Sequence, residues 1–411
     1  MVKISRELIE KLIIVILILS SCKFFYLLPL PQIFLHLPSN VLLCAVFTIF
    51  SFIVIGIISK QYYWGKFGHE IVILYFILVL NIFFVSYKYG YSSKTMFMAY
   101  MPFILFLGYF PLVEYVYSFD NGFNSLVKIL LSISSILALV LLMQSVIFNL
   151  HSTVFLRIEV PEVFTGRFYD ISEGIIRISV IISAWLMITQ KFRINYFINL
   201  VLCLLSIIFV DQSRIYLTAV LISIVFIAIL NSKNSLGFTK VLLYVILIIL
   251  SVFIISNIYH SISDTLADAN NGSNFARKEA IAYYLSNIKS YFFTGYGLVV
   301  PDKYSMFYTF IKGPMGIYNY SDIGIFGIFA SLGIFAVVWY VWILVKGIYL
   351  TCKLKNRYSL LCWGLLIEMI ISMFTMTYFD ASRIFSFVLV LVIISYAASL
   401  KDKNPSVGEV K

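Results

Sequence analysis

The chain has 411 residues, 62% of them hydrophobic and only 12% charged, with a mean hydropathy of +0.99. A soluble domain keeps about a quarter of its residues charged, so the composition excludes a soluble enzyme, a disulfide scaffold and a disordered chain, and reads as an all-α integral membrane protein. The formal charge of +11 does not point to nucleic acid, because no polar segment carries a basic stripe with interleaved aromatics; it sets topology and suits anionic ligands.

A span needs about 20 predominantly apolar residues. Such windows predict about twelve transmembrane helices, with cores at residues 12–30, 41–59, 70–87, 96–113, 126–148, 172–190, 196–211, 214–230, 239–257, 322–345, 358–378 and 383–399. The first follows Lys3, Arg6 and Lys11 like a signal sequence, but no small-residue cleavage site comes after it and Lys23 interrupts it, so it reads as a retained span. Residues 195–231 would be one long helix were it not for Asp211, Gln212, Ser213 and Arg214 at their centre, which predict a tight hairpin tip. Lys60, Lys66, Lys191, Arg193, Lys233, Lys240, Lys346, Lys353, Lys355 and Arg357 fall on one side with both termini, and that side is expected to be cytoplasmic. Lys88 and Lys94 then lie outside, and an inner connection carries Glu114 and Asp120, against the rule.

Four regions follow: an N-terminal bundle (1–150), central helices with an outer loop at 151–171 (151–257), a large outer loop (258–320), and C-terminal helices with a cytoplasmic tail (321–411). Loops this long without a hydrophobic span are usually functional or disordered. Within the large loop, Phe275, Ala276, Ile281, Tyr284, Leu285 and Ile288 fit one face of an interfacial helix that carries Arg277 and Lys278.

Arg167, Arg177, Arg214, Arg277 and Arg383 all fall near the outer side. A guanidinium is permanently charged and forks onto phosphate oxygens, which suits a lipid diphosphate at the membrane surface. The structural alternative pairs Arg214 with Asp211, Arg383 with Asp380, and Arg177 with Glu173 one helical turn earlier. General-base candidates are Asp170, Glu173 and Asp322; Asp322, opening a span, equally suits an N-terminal cap. Glu368 lies mid-span, either as a hydrogen-bonded acid or in a proton path. Tyr296, Tyr318 and Tyr320 are candidates for stacking on sugars or for interfacial anchoring. His36, His69, His151 and His260 form no metal-ligand pattern, and the five cysteines read as inert core residues. Gly295-Tyr-Gly297 neither follows a strand nor precedes a clear helix, so a glycine turn is favoured over a phosphate loop.

The ordered set of Gly166-Arg167-Phe-Tyr-Asp170, Asp211-Gln-Ser-Arg214, Arg277 some eighteen residues before Gly295-Tyr-Gly297, and Ser321-Asp-Ile-Gly-Ile-Phe-Gly-Ile-Phe-Ala-Ser-Leu-Gly333 resembles the O-antigen polymerase (Wzy-type) and O-antigen ligase superfamily over roughly residues 157–345. The resemblance implies a GT-C-like, metal-independent membrane glycosyltransferase without cofactor, acting on undecaprenyl-diphosphate-linked oligosaccharides at the outer face of the bacterial inner membrane. It implies that Arg214 and Arg277, with Arg167 as a weaker match, hold the diphosphate, and that Asp322 or Asp170 is the base. A chain-length regulator and a flippase are the partners it suggests, for O-antigen, capsule or exopolysaccharide assembly. Ligase members carry a histidine shortly before the Gly-rich span, where this chain has Asp322; that departure favours a polymerase over a ligase. A polysaccharide flippase or other transporter is the rival from another class; it should show internal repeats and midplane polar groups, and only Glu368 and Lys23 are clearly mid-span.

Overall fold

A computed structural model describes residues 5–28, 39–60, 62–157, 168, 172–190, 192–231, 273–299, 308–314, 316 and 318–403. Arg167, Asp170 and the predicted span at 239–257 lie outside the described residues. Among those described, every regular element is helical: α1 Arg6–Ser21, α2 Ser39–Ser59, α3 Gly68–Tyr89, α4 Ser93–Tyr100, α5 Tyr109–Ser118, α6 Gly122–His151, α7 Glu173–Thr189, α8 Ile194–Ser206, α9 Arg214–Leu230, α10 Ser273–Ser286, α11 Ile288–Tyr291, α12 Tyr308–Lys312, α13 Gly324–Leu332, α14 Ile334–Cys352, α15 Tyr358–Ser372 and α16 Ile384–Lys403.

Local chemistry sets the boundaries. The Ser5 hydroxyl accepts from Leu8 N to open α1, α3 stops at Gly90 in the left-handed region, and the Ser92 hydroxyl caps α4. Pro102 turns the link between α4 and α5 into a 3-10 segment, Met101–Gly108, so residues 93–118 form one irregular helical rod.

Six helical segments among the described residues are long and apolar enough to cross a membrane: Val41–Ser59, Gly68–Tyr89, Ser93–Ser118, Gly122–His151, Ile194–Asp211 and Ile334–Cys352. Several other predicted spans form shorter helices, including α1 with 16 residues, α9 with 17 and α15 with 15. At 1.5 Å per residue these measure about 22 to 26 Å, short of a hydrocarbon core of about 30 Å. The first is cut short because the chain turns left-handed over Lys23, Phe24, Phe25 and Tyr26. The predicted single helix at 322–345 is two, broken at Gly333.

Side chains such as Ile57, Phe76, Val79 and Phe83 point outward, over half exposed, as lipid-facing helices require. Polar groups act as glue inside: the Asn199 amide donates to Leu131 O and to the hydroxyls of Ser134 and Ser135, and accepts from Ser183, which joins α6, α7 and α8. At one end of the bundle Arg6 bonds both Glu10 (2.6 Å) and Glu114 (3.1 Å), and Lys346 pairs with Glu70. Glu114, which broke the charge rule, is thereby neutralised by a cation from the N-terminal helix. The opposite end, called outer here on the charge rule, carries the 211–214 tip, α10 to α12 and the start of α13.

Candidate functional site

Two buried ion pairs lie beneath the outer end. Arg177, on α7, donates from Nη1 to Glu368 Oε1 of α15 at 2.6 Å; the same carboxylate accepts from the Tyr378 hydroxyl at 2.5 Å and from Ser372 at 3.2 Å. Arg383, just before α16, donates from Nε to Glu173 Oε1 at 3.2 Å and from Nη1 to the carbonyls of Ser321 and Thr377. Tyr216 of α9 joins the pairs: its ring centroid is 3.7 Å from the Arg177 Cζ and 5.8 Å from that of Arg383. Both arginines therefore choose partners other than the expected ones. Arg177 bonds Glu368 rather than Glu173, and Arg383 takes Glu173, its bond to Asp380 being a main-chain one. The structure favours the hydrogen-bonded reading of Glu368 over a proton path, since both its carboxylate oxygens are engaged. Sequence reasoning missed Tyr216 and the crossed pairing; the available signal was two Arg and two Glu placed on otherwise apolar spans.

Two arginines with two glutamates leave this cluster electrically neutral, so it offers no surplus charge to an anion. Arg214 and Arg277 do. The predicted hairpin tip forms: α8 ends in a π turn, Ile207–Asp211, Gln212 is left-handed at φ 53°, and Arg214 is the exposed first residue of α9. Among the described residues Arg214 has no ion pair, and Asp211 beside it is buried. Arg277 is half-buried on α10, and its Nε has no hydrogen-bond partner among the described residues. A buried, unengaged guanidinium N–H is costly unless a ligand uses it.

Asp322 is in a 3-10 turn, Tyr320–Asp322, rather than at a helix cap; α13 starts at Gly324 without any side-chain cap. Its carboxylate accepts weakly from Asn319 at 3.4 Å, which leaves lone pairs free. The preceding Ser321 carbonyl is held by Arg383 and by Thr377 N, so the buried pair fixes the backbone that presents Asp322. Burial lowers the nearby Lys312 ammonium, while the Asp322 charge pulls it the other way.

The outer segment has a core of its own made largely of tyrosine rings. Tyr296 lies 4.1 Å from Tyr291, and Tyr284 touches Tyr318 and Tyr320. Tyr296 and Tyr318 are buried, whereas Tyr320 is half-buried, its hydroxyl unbonded among the described residues. Gly295 and Gly297, at φ 65° and 87°, run against the break at Gly333: Tyr296 N donates to Ala330 O, Gly297 N to Ser331 O, and Ile334 N to Phe292 O. A Cβ on Gly295 would come within 2.4 Å of the Ser331 main chain. This glycine turn seals a helix break with main-chain bonds, as broken helices at membrane depth require.

Fold and site define the class as a helical membrane protein in which Arg214 and Arg277 have no ion pair among the described residues. Residues 199–341 match the family model Wzy_C, described as O-antigen ligase, which supports the O-antigen polymerase and ligase superfamily. The matched 143 of 411 residues include Arg214, Arg277 and Asp322 but exclude Arg177, Glu368 and Arg383. No curated protein matches the chain.

Proposed function

We propose that the protein polymerises lipid-linked saccharide repeat units at the outer face of the bacterial inner membrane, with both termini in the cytoplasm. The observation that carries this reading is that the segment matching the family contains two arginines that have no acidic partner among the described residues. Arg214 and Arg277, with Arg167, clamp the diphosphate of the donor, an undecaprenyl-diphosphate-linked glycan. The acceptor is a hydroxyl on the next lipid-linked unit, deprotonated by Asp322 or Asp170. Its oxygen bonds the anomeric carbon of the donor, the bond from that carbon to the diphosphate oxygen breaks, and the electron pair leaves with the diphosphate. Arginines neutralise the charge developing there, so the reaction proceeds without a divalent cation.

The match to a model described as O-antigen ligase favours a second reading, in which finished polymer is transferred once to a different acceptor. Both are separated by incubating the purified, reconstituted protein with lipid-diphosphate repeat unit and EDTA, and resolving products on a gel. A ladder of repeats that disappears in Arg214→Ala and Arg277→Ala supports the polymerase. Transfer of preformed polymer to a second acceptor without a ladder supports the ligase, and movement of intact substrate across the bilayer alone supports a transporter.

A further inference from the structure

Tyr216 stands two residues after Arg214 on α9, and Ser321 immediately precedes Asp322. One side chain, Arg383, links them. Its Cζ is 5.8 Å from the Tyr216 ring centroid, within cation–π range, and its Nη1 donates to Ser321 O at 3.4 Å. The same Nη1 donates to Thr377 O at 3.3 Å, while Thr377 N donates to Ser321 O at 3.1 Å. Ile325 N donates to Met373 O at 2.9 Å, and a Cβ on Gly324 would lie 2.0 Å from that carbonyl. The turn bearing Asp322 therefore rests directly on the link between α15 and α16. Arg383 Nε is taken by Glu173 at the start of α7. The guanidinium thus has hydrogen bonds to three segments, and its fork is what spans them. Arg383 and Glu173 both lie outside the segment 199–341 that matches the family.

We propose that Arg383 and Tyr216 are positioning residues for the transfer step: they fix the turn bearing Asp322 relative to the start of α9, which bears Arg214. The inference rests on the roles given to Arg214 and Asp322 in the proposed function. Both positioning residues are buried, so they act through these neighbours and touch no saccharide. A base has to stand within hydrogen-bond reach of the hydroxyl it deprotonates while the leaving group is held elsewhere, and a misplacement of about 1 Å lowers the rate about 100-fold. The 3-10 turn at Tyr320–Asp322 has no side-chain cap of its own. A buried guanidinium, itself held by a carboxylate, supplies the missing restraint. Tyr216 contributes its ring, which lies 3.7 Å from Arg177 Cζ as well; its hydroxyl has no hydrogen-bond partner among the described residues.

The test uses the full-length protein in detergent with lipid-diphosphate repeat unit, and measures kcat and KM for glycan transfer together with amide exchange by mass spectrometry. Arg383→Lys keeps a cation for Glu173 but loses the fork. Its kcat should fall about tenfold or more with KM unchanged, and exchange at Ile325 and Thr377 should quicken. In an Asp322→Asn background the same substitution should lower kcat no further, because the group it positions is already gone. Tyr216→Leu, which removes no charge, should repeat the pattern, and Tyr216→Phe should restore the rate. An equal loss of kcat in both backgrounds overturns the proposal, and so does a rise in KM alone or a Tyr216→Phe variant as slow as Tyr216→Leu. Glycan product with exchange unchanged in Arg383→Lys and Tyr216→Leu overturns the tie and leaves the polymerase reading standing. Faster exchange in both variants of a protein that makes no glycan product leaves the tie between α9 and the Asp322 turn standing and removes the polymerase.

Discussion

Arg177 and Glu368 meet at 2.6 Å although 191 positions separate them, and the ring of Tyr216 lies 3.7 Å from the same guanidinium carbon. One side chain thus ties α7, α9 and α15 together beneath the hairpin tip that presents Arg214. The second pair, Glu173 with Arg383, extends the tie through Ser321 to the turn that holds Asp322.

Removing one partner of such a buried pair strands the other charge. Arg177→Ala or Glu368→Ala alone should destabilise the protein by about 3 to 5 kcal/mol, whereas Arg177→Met with Glu368→Leu should recover most of that loss. Thermal unfolding in detergent of Arg177→Met, Glu368→Leu and the double variant that combines them closes the cycle; additive losses would mean the two side chains are not coupled.

Arg214 and Arg277 behave differently, because among the described residues neither supports another element through an ion pair. Replacing either with alanine should leave the stability within about 1 kcal/mol of wild type and reduce glycan transfer about 100-fold or more. Arg277→Lys keeps the charge but not the fork, and should fall between the two in a product-ladder assay.

Asp322 caps no helix, so Asp322→Asn should not alter stability. If its carboxylate takes the acceptor proton, the substitution lowers kcat about 100-fold or more and removes the acid limb of the pH–rate profile. An unchanged profile would hand the role to Asp170.

The tyrosine cluster makes the outer segment sensitive to alkali. Burial holds the hydroxyls of Tyr284, Tyr291 and Tyr320 well above the usual tyrosine range. The unfolded chain ionises near pH 10 while the folded segment does not, so the stability is fully present below pH about 10 and is lost as pH rises further. Exposed tyrosines such as Tyr87 ionise first, and the further tyrosinate absorbance contributed by the cluster should appear only as helicity is lost. Tyr320→Phe forfeits no hydrogen bond among the described residues, where that hydroxyl has none, and should be neutral or stabilising by about 1 kcal/mol; a drop in transfer without a drop in stability would assign Tyr320 to the sugar.

Gly333 turns the break between α13 and α14 at φ 77°, and a Cβ there would lie 2.2 Å from Phe293 O. Gly333→Ala should cost more than about 1 kcal/mol and loosen the 292–297 segment, seen as faster amide exchange at Tyr296 and Gly297.

What the sequence determined by itself is set by the bilayer. Runs such as 41–59, 70–87 and 126–148 are legible because a span must be apolar over a fixed length, and the hairpin tip at 211–214 because four polar residues cannot face lipid. The motifs that carry the family resemblance were legible for the same local reason, as residues adjacent in the chain. The partners of the arginines were not. Spacing by one helical turn favours Glu173 for Arg177, but in a low-dielectric interior each carboxylate needs its full set of donors, and Glu368 gets Arg177, Tyr378 and Ser372 only when α7 packs against α15. The break at Gly333 was hidden likewise: the run 322–345 is almost continuously apolar, and the groups that a broken helix exposes are satisfied by the main chain of residues 292–297, arriving from a loop some forty positions earlier, together with the Asn81 amide. Tertiary structure decides these points because hydrogen-bond satisfaction is shared between distant segments, whereas hydropathy is counted along one.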